Sequence, residues 1–148
     1  MAQPRFIFLL NSSQRRVQQW IAAQGEEGIQ LSAPQAAVLF LLERQDGQLM
    51  GELAQRLDLV PSAVSGLVDR CQKLGLLERR ACTVDGRAQR VWLTEQGRAQ
   101  LPRLHQVTRQ AQEKFSKGFS SEELAVVERW LNQVRREFNE KRAEDDAN

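Results

Sequence analysis

Apolar side chains near the start of the chain return at alternating steps of four and three. Phe6, Leu10, Val17 and Trp20 mark the series, with Ser13 at the step between, and Ile7, Leu9 and Ile21 widen the stripe. That spacing predicts a helix from Pro4 to about Gln24 with a broad apolar face. Gly25-Glu26-Glu27-Gly28 ends it. Ser32-Ala33-Pro34-Gln35 then forms a capping-box pattern with Pro in the first turn. The helix behind it, to about Glu43, is apolar nearly all round, so it is expected to be buried on most sides. It stops at the polar turn Gln45-Asp46-Gly47-Gln48.

Two short helical patterns follow, about Gly51 to Leu57 and about Pro61 to Leu74, with only Asp58-Leu59-Val60 between them. Helix, three-residue turn, helix is the helix-turn-helix arrangement. Pro61 suits a first helical position and Gly75 the left-handed position after a last turn. Next come two strand patterns, about Leu76–Cys82 and Gln89–Leu93, joined through the Asp85-Gly86 turn signal. Thr94 is placed to cap a helix running to about Lys117, with a seam at Gly97, Leu101, Leu104, Thr108, Ala111 and Phe115. Pro102 inside that stretch predicts a kink or a late start. Ser120-Ser121-Glu122-Glu123 is a second capping box, and the last helix carries a heptad-like seam at Leu124, Val127, Leu131, Val134 and Phe138. The tail, 143–148, is expected to fray.

The fold class this predicts is mainly α with a small β-hairpin: a winged helix-turn-helix core flanked by N- and C-terminal helices. Its length of 148 residues suits one compact domain with arms. The net charge is only +2, so any nucleic-acid footprint has to be local. It is local: residues 61–92 hold six basic and three acidic side chains, a net +3 that exceeds the whole chain's +2. Cys71 and Cys82 form no disulfide framework, and the lone His105 gives no metal-binding spacing. No nucleophile–base pair, phosphate loop or cofactor motif is visible, so no catalytic residue, metal or cofactor is assigned and no enzyme is expected. The apolar start is too short for a secretion signal, and no run approaches the roughly 20 residues of a membrane span. A cytoplasmic location is the expectation.

The second helix of the motif divides cleanly. Val64, Leu67, Val68, Cys71 and Leu74 form a core stripe, and the other face carries Ser62, Ala63, Ser65, Gly66, Asp69, Arg70 and Lys73. Short donors, a glycine and two cations suit a helix that reads base edges in a major groove. The hairpin ERRACTVDGRAQRVWLTEQG, residues 78–97, adds Arg79, Arg87 and Arg90. A solvated surface helix and an ordinary hairpin are the plainer readings. Their succession with a short first helix favours DNA.

These residues resemble the MarR family of bacterial transcription regulators. The likeness rests on Val68-Asp69-Arg70-Cys71, Gly75, Glu78-Arg79, Asp85-Gly86-Arg87 and Leu93-Thr94-Glu95-Gln96-Gly97 in that order, and extends over nearly the whole chain. It implies a homodimer, with residues 1–31 and 97–148 supplying dimerisation helices and 32–96 the DNA-binding winged helix. Phe6, Leu10, Val17, Leu124, Leu131, Val134 and Phe138 would line the dimer interface. Arg87 would enter the minor groove or grip its phosphates, oriented by an ion pair from Asp85. A pseudo-palindromic operator and repression are the family's usual mode, and a small aromatic or phenolic effector is implied, with Arg16, Trp20, Phe40 and His105 as candidate contacts. The chain departs from the pattern at Val60, where a capping Ser or Thr is usual. It also departs at Gly66, at Cys71 in place of a core Leu, and in having Arg90 rather than a second arginine directly after Arg87. Two other readings stay open. One is a winged helix used for protein contacts. The other is redox control through Cys82, whose neighbours Arg79 and Arg80 would depress its pKa.

Overall fold

A computed structural model describes residues 5–24 and 30–139. The elements in chain order are α1 (Phe6–Ala23), α2 (Ala33–Arg44), β1 (Gln48–Leu49), α3 (Met50–Leu57), α4 (Pro61–Lys73), β2 (Leu77–Ala81), β3 (Gln89–Leu93), α5 (Glu95–Ser116) and α6 (Ser121–Glu137). They fall into two compact units, one up to Val107 and one from Thr108 on.

The core of the first unit is where the sequence pattern places it. Val38, Leu39 and Leu42 of α2 pack with Leu53 of α3, with Val64, Leu67, Val68 and Cys71 of α4, and with Leu77, Val91 and Leu93 of the sheet. Both capping boxes form. Ser32 Oγ accepts from Gln35 N–H, and Gln35 Oε1 accepts from Ser32 N–H at 2.8 Å. Ser120 and Glu123 make the same reciprocal pair ahead of α6. The shared N–H donors explain why these two helices start where the sequence says.

Gln45–Gln48 is not only a turn. Gln48 and Leu49 form β1, which pairs antiparallel with β3 and makes the sheet three-stranded in the order β1-β3-β2. Gln48 is 1% exposed, and its Nε2 donates to Leu41 O at 2.7 Å and Gln45 O at 2.8 Å, satisfying the end of α2. Asp46 Oδ1 accepts from Leu93 N–H at 2.9 Å and so ties the turn to β3. Gly47 has φ +68°, and a Cβ there would sit 2.5 Å from the Trp92 ring, so glycine is required twice over.

The start of α5 explains the Leu-Thr-x-x-Gly phrase. Thr94 Oγ1 accepts from Gly97 N–H at 3.0 Å and donates to Gly75 O at 2.6 Å. A Cβ on Gly97 would lie 2.1 Å from Leu76 O. The phrase is therefore a joint at which the α5 backbone touches the backbone just ahead of β2. α5 begins at Glu95 and runs on through Pro102, so the late start expected from that proline does not occur. Gly97 and Leu101 are buried, the latter in the core of the winged helix.

Two helices keep no side chain buried. On α1, Phe6 and Leu10 are exposed and Val17 is half-buried. On α6, Leu124 and Val134 are half-buried and Leu131 is exposed, as is Phe138 just beyond it. No described helix is long and apolar enough to cross a membrane.

Candidate nucleic-acid interface

α4 buries Val64, Leu67, Val68 and Cys71 and turns its other side outward. Ser62, Asp69, Arg70 and Lys73 are exposed, and Ala63, Ser65 and Gly66 are half-buried. A Cβ at Gly66 would meet only Arg70 Nη1, at an ordinary 3.4 Å, so packing does not demand glycine there. The helix starts without a side-chain cap, since Val60 at the cap position has no acceptor.

The wing is β2, β3 and the loop between them. Cys82 N–H donates to Ala88 O at 2.8 Å and Ala88 N–H to Asp85 O at 3.1 Å, which closes the loop. Gly86 lies outside the left-handed region, so the tip does not rest on the glycine-dependent turn that Asp-Gly suggests. Asp85 does orient Arg87, but not by the expected ion pair: its Oδ1 accepts the backbone N–H of Arg87 at 3.0 Å. The carboxylate shapes the loop and leaves the Arg87 side chain exposed at the tip.

The other hairpin arginines are used differently from the sequence expectation. Arg79 is expected on DNA. Its guanidinium instead pairs with Asp69 at 2.6 Å and donates to Ser65 O at 3.2 Å, with its side chain 21% exposed. It ties β2 to α4 across that helix's outward face. Arg90, the proposed stand-in for a second wing arginine, donates from Nη1 to Gly47 O at 2.7 Å and is half-buried. Arg80, not among the expected DNA contacts, pairs with Glu78 and lies over the Trp92 ring at 5.3 Å. The outward positive charge is thus carried by Arg70 and Lys73 on α4 and by Arg87 at the tip.

Cys82 is 6% exposed. Its thiol is held below the ordinary value by the backbone N–H groups of Asp85 and Val84 and by the Arg90 side chain, not by Arg79 and Arg80. Cys71 is wholly buried, and burial pushes its thiol up to about 11 against a smaller opposing pull from Arg70. It is the small core hydrophobe expected at that place.

Of the candidate effector contacts, Phe40 and His105 are brought together, with ring centroids 4.8 Å apart. His105 Nε2 also lies 2.8 Å from Glu43 Oε2. Arg16 is exposed and Trp20 half-buried on α1. An open cleft of about 420 Å³ lies elsewhere, lined by Gln18, Ile21 and Ala22 of α1 and by Gln30, Leu31, Ser32, Ala33 and Gln35. None of the four candidates lines it.

Comparison with known proteins agrees with this geometry. The model of the MarR family matches residues 29–88. The HTH-type transcriptional repressor IacR of Pseudomonas putida is 26% identical over 106 residues, covering 72% of this chain and 64% of that protein's length. The PcaV regulator of Streptomyces coelicolor, solved with its natural ligand, superposes with a TM-score of 0.72 at 26% identity, over 92% of this chain and 98% of its own. A mutant MarR from E. coli in complex with operator DNA gives 0.73 at 25% identity, over 88% and 91%. A helix-turn-helix with an exposed arginine at its wing tip, matched over residues 29–88 by the family model and in fold by these regulators, is similar to the MarR family of transcription regulators.

Proposed function

We propose that the protein is a repressor that binds a pseudo-palindromic operator as a homodimer and releases it when a small aromatic or phenolic acid binds. The observation that carries the DNA half is the sorting of the basic side chains. Arg79 and Arg90 are spent inside the fold, whereas Arg70, Lys73 and Arg87 stay outward on one helix and one loop tip. Ser62, Ala63, Ser65 and Gly66 then meet base edges, and Arg87 meets the minor groove or its phosphates.

In the same proposal, residues 1–31 and 97–148 supply the dimer contacts and 32–96 the DNA-binding part. The unburied apolar faces of α1 and α6 support it. The effector half draws on the ligand-bound PcaV regulator and on the paired rings of Phe40 and His105.

The test is binding to duplex DNA from upstream of the protein's own gene, titrated with salt, for the wild type and Arg87→Ala. The expected result is site-preferring, salt-steep binding whose log–log slope falls by about one for each wing that loses its arginine. No site preference, or an unchanged slope in the variant, refutes the proposal. Release of that DNA by aromatic acids, weakened by Phe40→Ala, tests the effector half.

A further inference from the structure

The recognition helix begins on a residue that stability does not explain. Val60 is 58% exposed, although its backbone is held firmly. Its carbonyl accepts from Ala63 N–H at 3.0 Å and Val64 N–H at 3.2 Å, and the preceding Leu59 packs against the core. A threonine has the same shape and would cap the first turn of α4, which no side chain caps now. The chain instead keeps two methyl groups in the open at the end of the helix that faces DNA. Pro61 beside it is exposed as well, and Ala63 is half-buried, so this end offers mainly apolar surface with one hydroxyl, Ser62.

A major groove holds one apolar group at its base edges, the 5-methyl of thymine. Phosphates and the other base edges present only polar partners, which Val60 cannot satisfy. We infer that Val60 is a specificity-determining residue of this protein, packing on a thymine methyl in each half-site. The inference rests on α4 being the helix that enters the major groove. The side chain is rigid at χ1 and set on a fixed backbone, so it requires little ordering on contact. It also goes beyond charge: Arg70, Lys73 and Arg87 supply affinity to any duplex, whereas a methyl contact distinguishes one base pair from another.

The probe is an operator duplex recovered by selection from random DNA, in which each thymine is replaced singly by deoxyuridine. That substitution removes the methyl alone. Affinities are measured at one fixed salt for the wild type and Val60→Thr. At one position, repeated by symmetry in the other half-site, loss of the methyl is expected to weaken the wild type roughly fourfold. The same loss weakens Val60→Thr less, by about twofold, because threonine keeps only one of valine's two methyl groups. Val60→Thr is expected to melt no lower than the wild type, so misfolding cannot imitate the result. Equal responses of the two proteins at every thymine overturn the inference and leave Val60 against sugar or solvent. The double variant Ser62→Ala/Ser65→Ala separates the two levels. If it keeps full affinity and site preference, α4 is not the reading helix and both fall. If it loses them while no methyl couples to Val60, only the thymine contact falls.

Discussion

At the scale of single residues, two glycines in helices give opposite expectations from their surroundings. Gly97 has no room, with Leu76 O 2.1 Å from any added Cβ. Gly97→Ala is expected to cost about 3 kcal/mol, lowering the melting temperature by roughly 6–12 °C. Gly51 sits in α3 with nothing within 4 Å of that position. Gly51→Ala is expected to stabilise by about 0.5–1 kcal/mol through the unfolded chain's entropy. Thermal melts of the pair check both. Cys71 adds a pH dependence with a definite sign. Its folded pKa, about 11, lies above the ordinary 9.0, so its contribution is complete below pH 9 and is lost as pH rises through about 11. Cys71→Ala forfeits core packing at every pH but cannot titrate. Urea titrations at pH 8 and pH 11 should find the gap between wild type and Cys71→Ala narrowed by something like 2 kcal/mol. A gap that stays constant would mean the thiol is not kept neutral by burial.

At the scale of elements, the tie between β2 and α4 separates holding from gripping. Arg79→Met keeps the apolar stem and removes the guanidinium from Asp69 and Ser65 O. It is expected to cost about 1 kcal/mol of stability and to loosen operator binding without changing the salt slope, since no phosphate contact is lost. Arg87→Ala is expected to do the reverse, changing the slope and sparing stability. Equal slopes in the two variants would return Arg79 to the phosphates. This contrast also shows what the sequence made legible. The starts of α2 and α6 were readable because Ser32 with Gln35, and Ser120 with Glu123, act over three residues. The span of β3 was readable from a local alternation ending at Thr94. β1 was not, because a two-residue strand with a polar Gln48 has no pattern of its own and exists only through β3. The fates of Arg79, Arg90 and Asp85 were hidden for the same reason. A guanidinium looks alike in sequence whether it faces phosphate, a carboxylate on the preceding helix such as Asp69, or a distant carbonyl such as that of Gly47. Only the fold decides which partner is within 3 Å.

At the scale of the whole molecule, two sets of large apolar residues are exposed. Phe6, Ile7, Phe8, Leu9 and Leu10 are all exposed on the first turns of α1, and Phe115, Phe119, Val126, Val127 and Leu131 are exposed on α5, α6 and the turn between them. Clusters of that kind mark interaction surfaces. If a second copy covers them, folding and association are linked, and the melting temperature must rise with protein concentration. Changing Leu10 and Leu131 together to Glu places charge at both faces. The double variant is expected to sediment as a monomer or to unfold, and where it stays folded to bind the operator at least about a hundredfold more weakly, because two half-sites are no longer held at one effective concentration. The same variant should keep its non-specific, salt-sensitive affinity per winged helix, since Arg70, Lys73 and Arg87 are untouched. Sedimentation equilibrium beside operator titration distinguishes the cases. A wild type that stays monomeric and melts at a concentration-independent temperature would remove the homodimer, and with it the reason to expect a palindromic site.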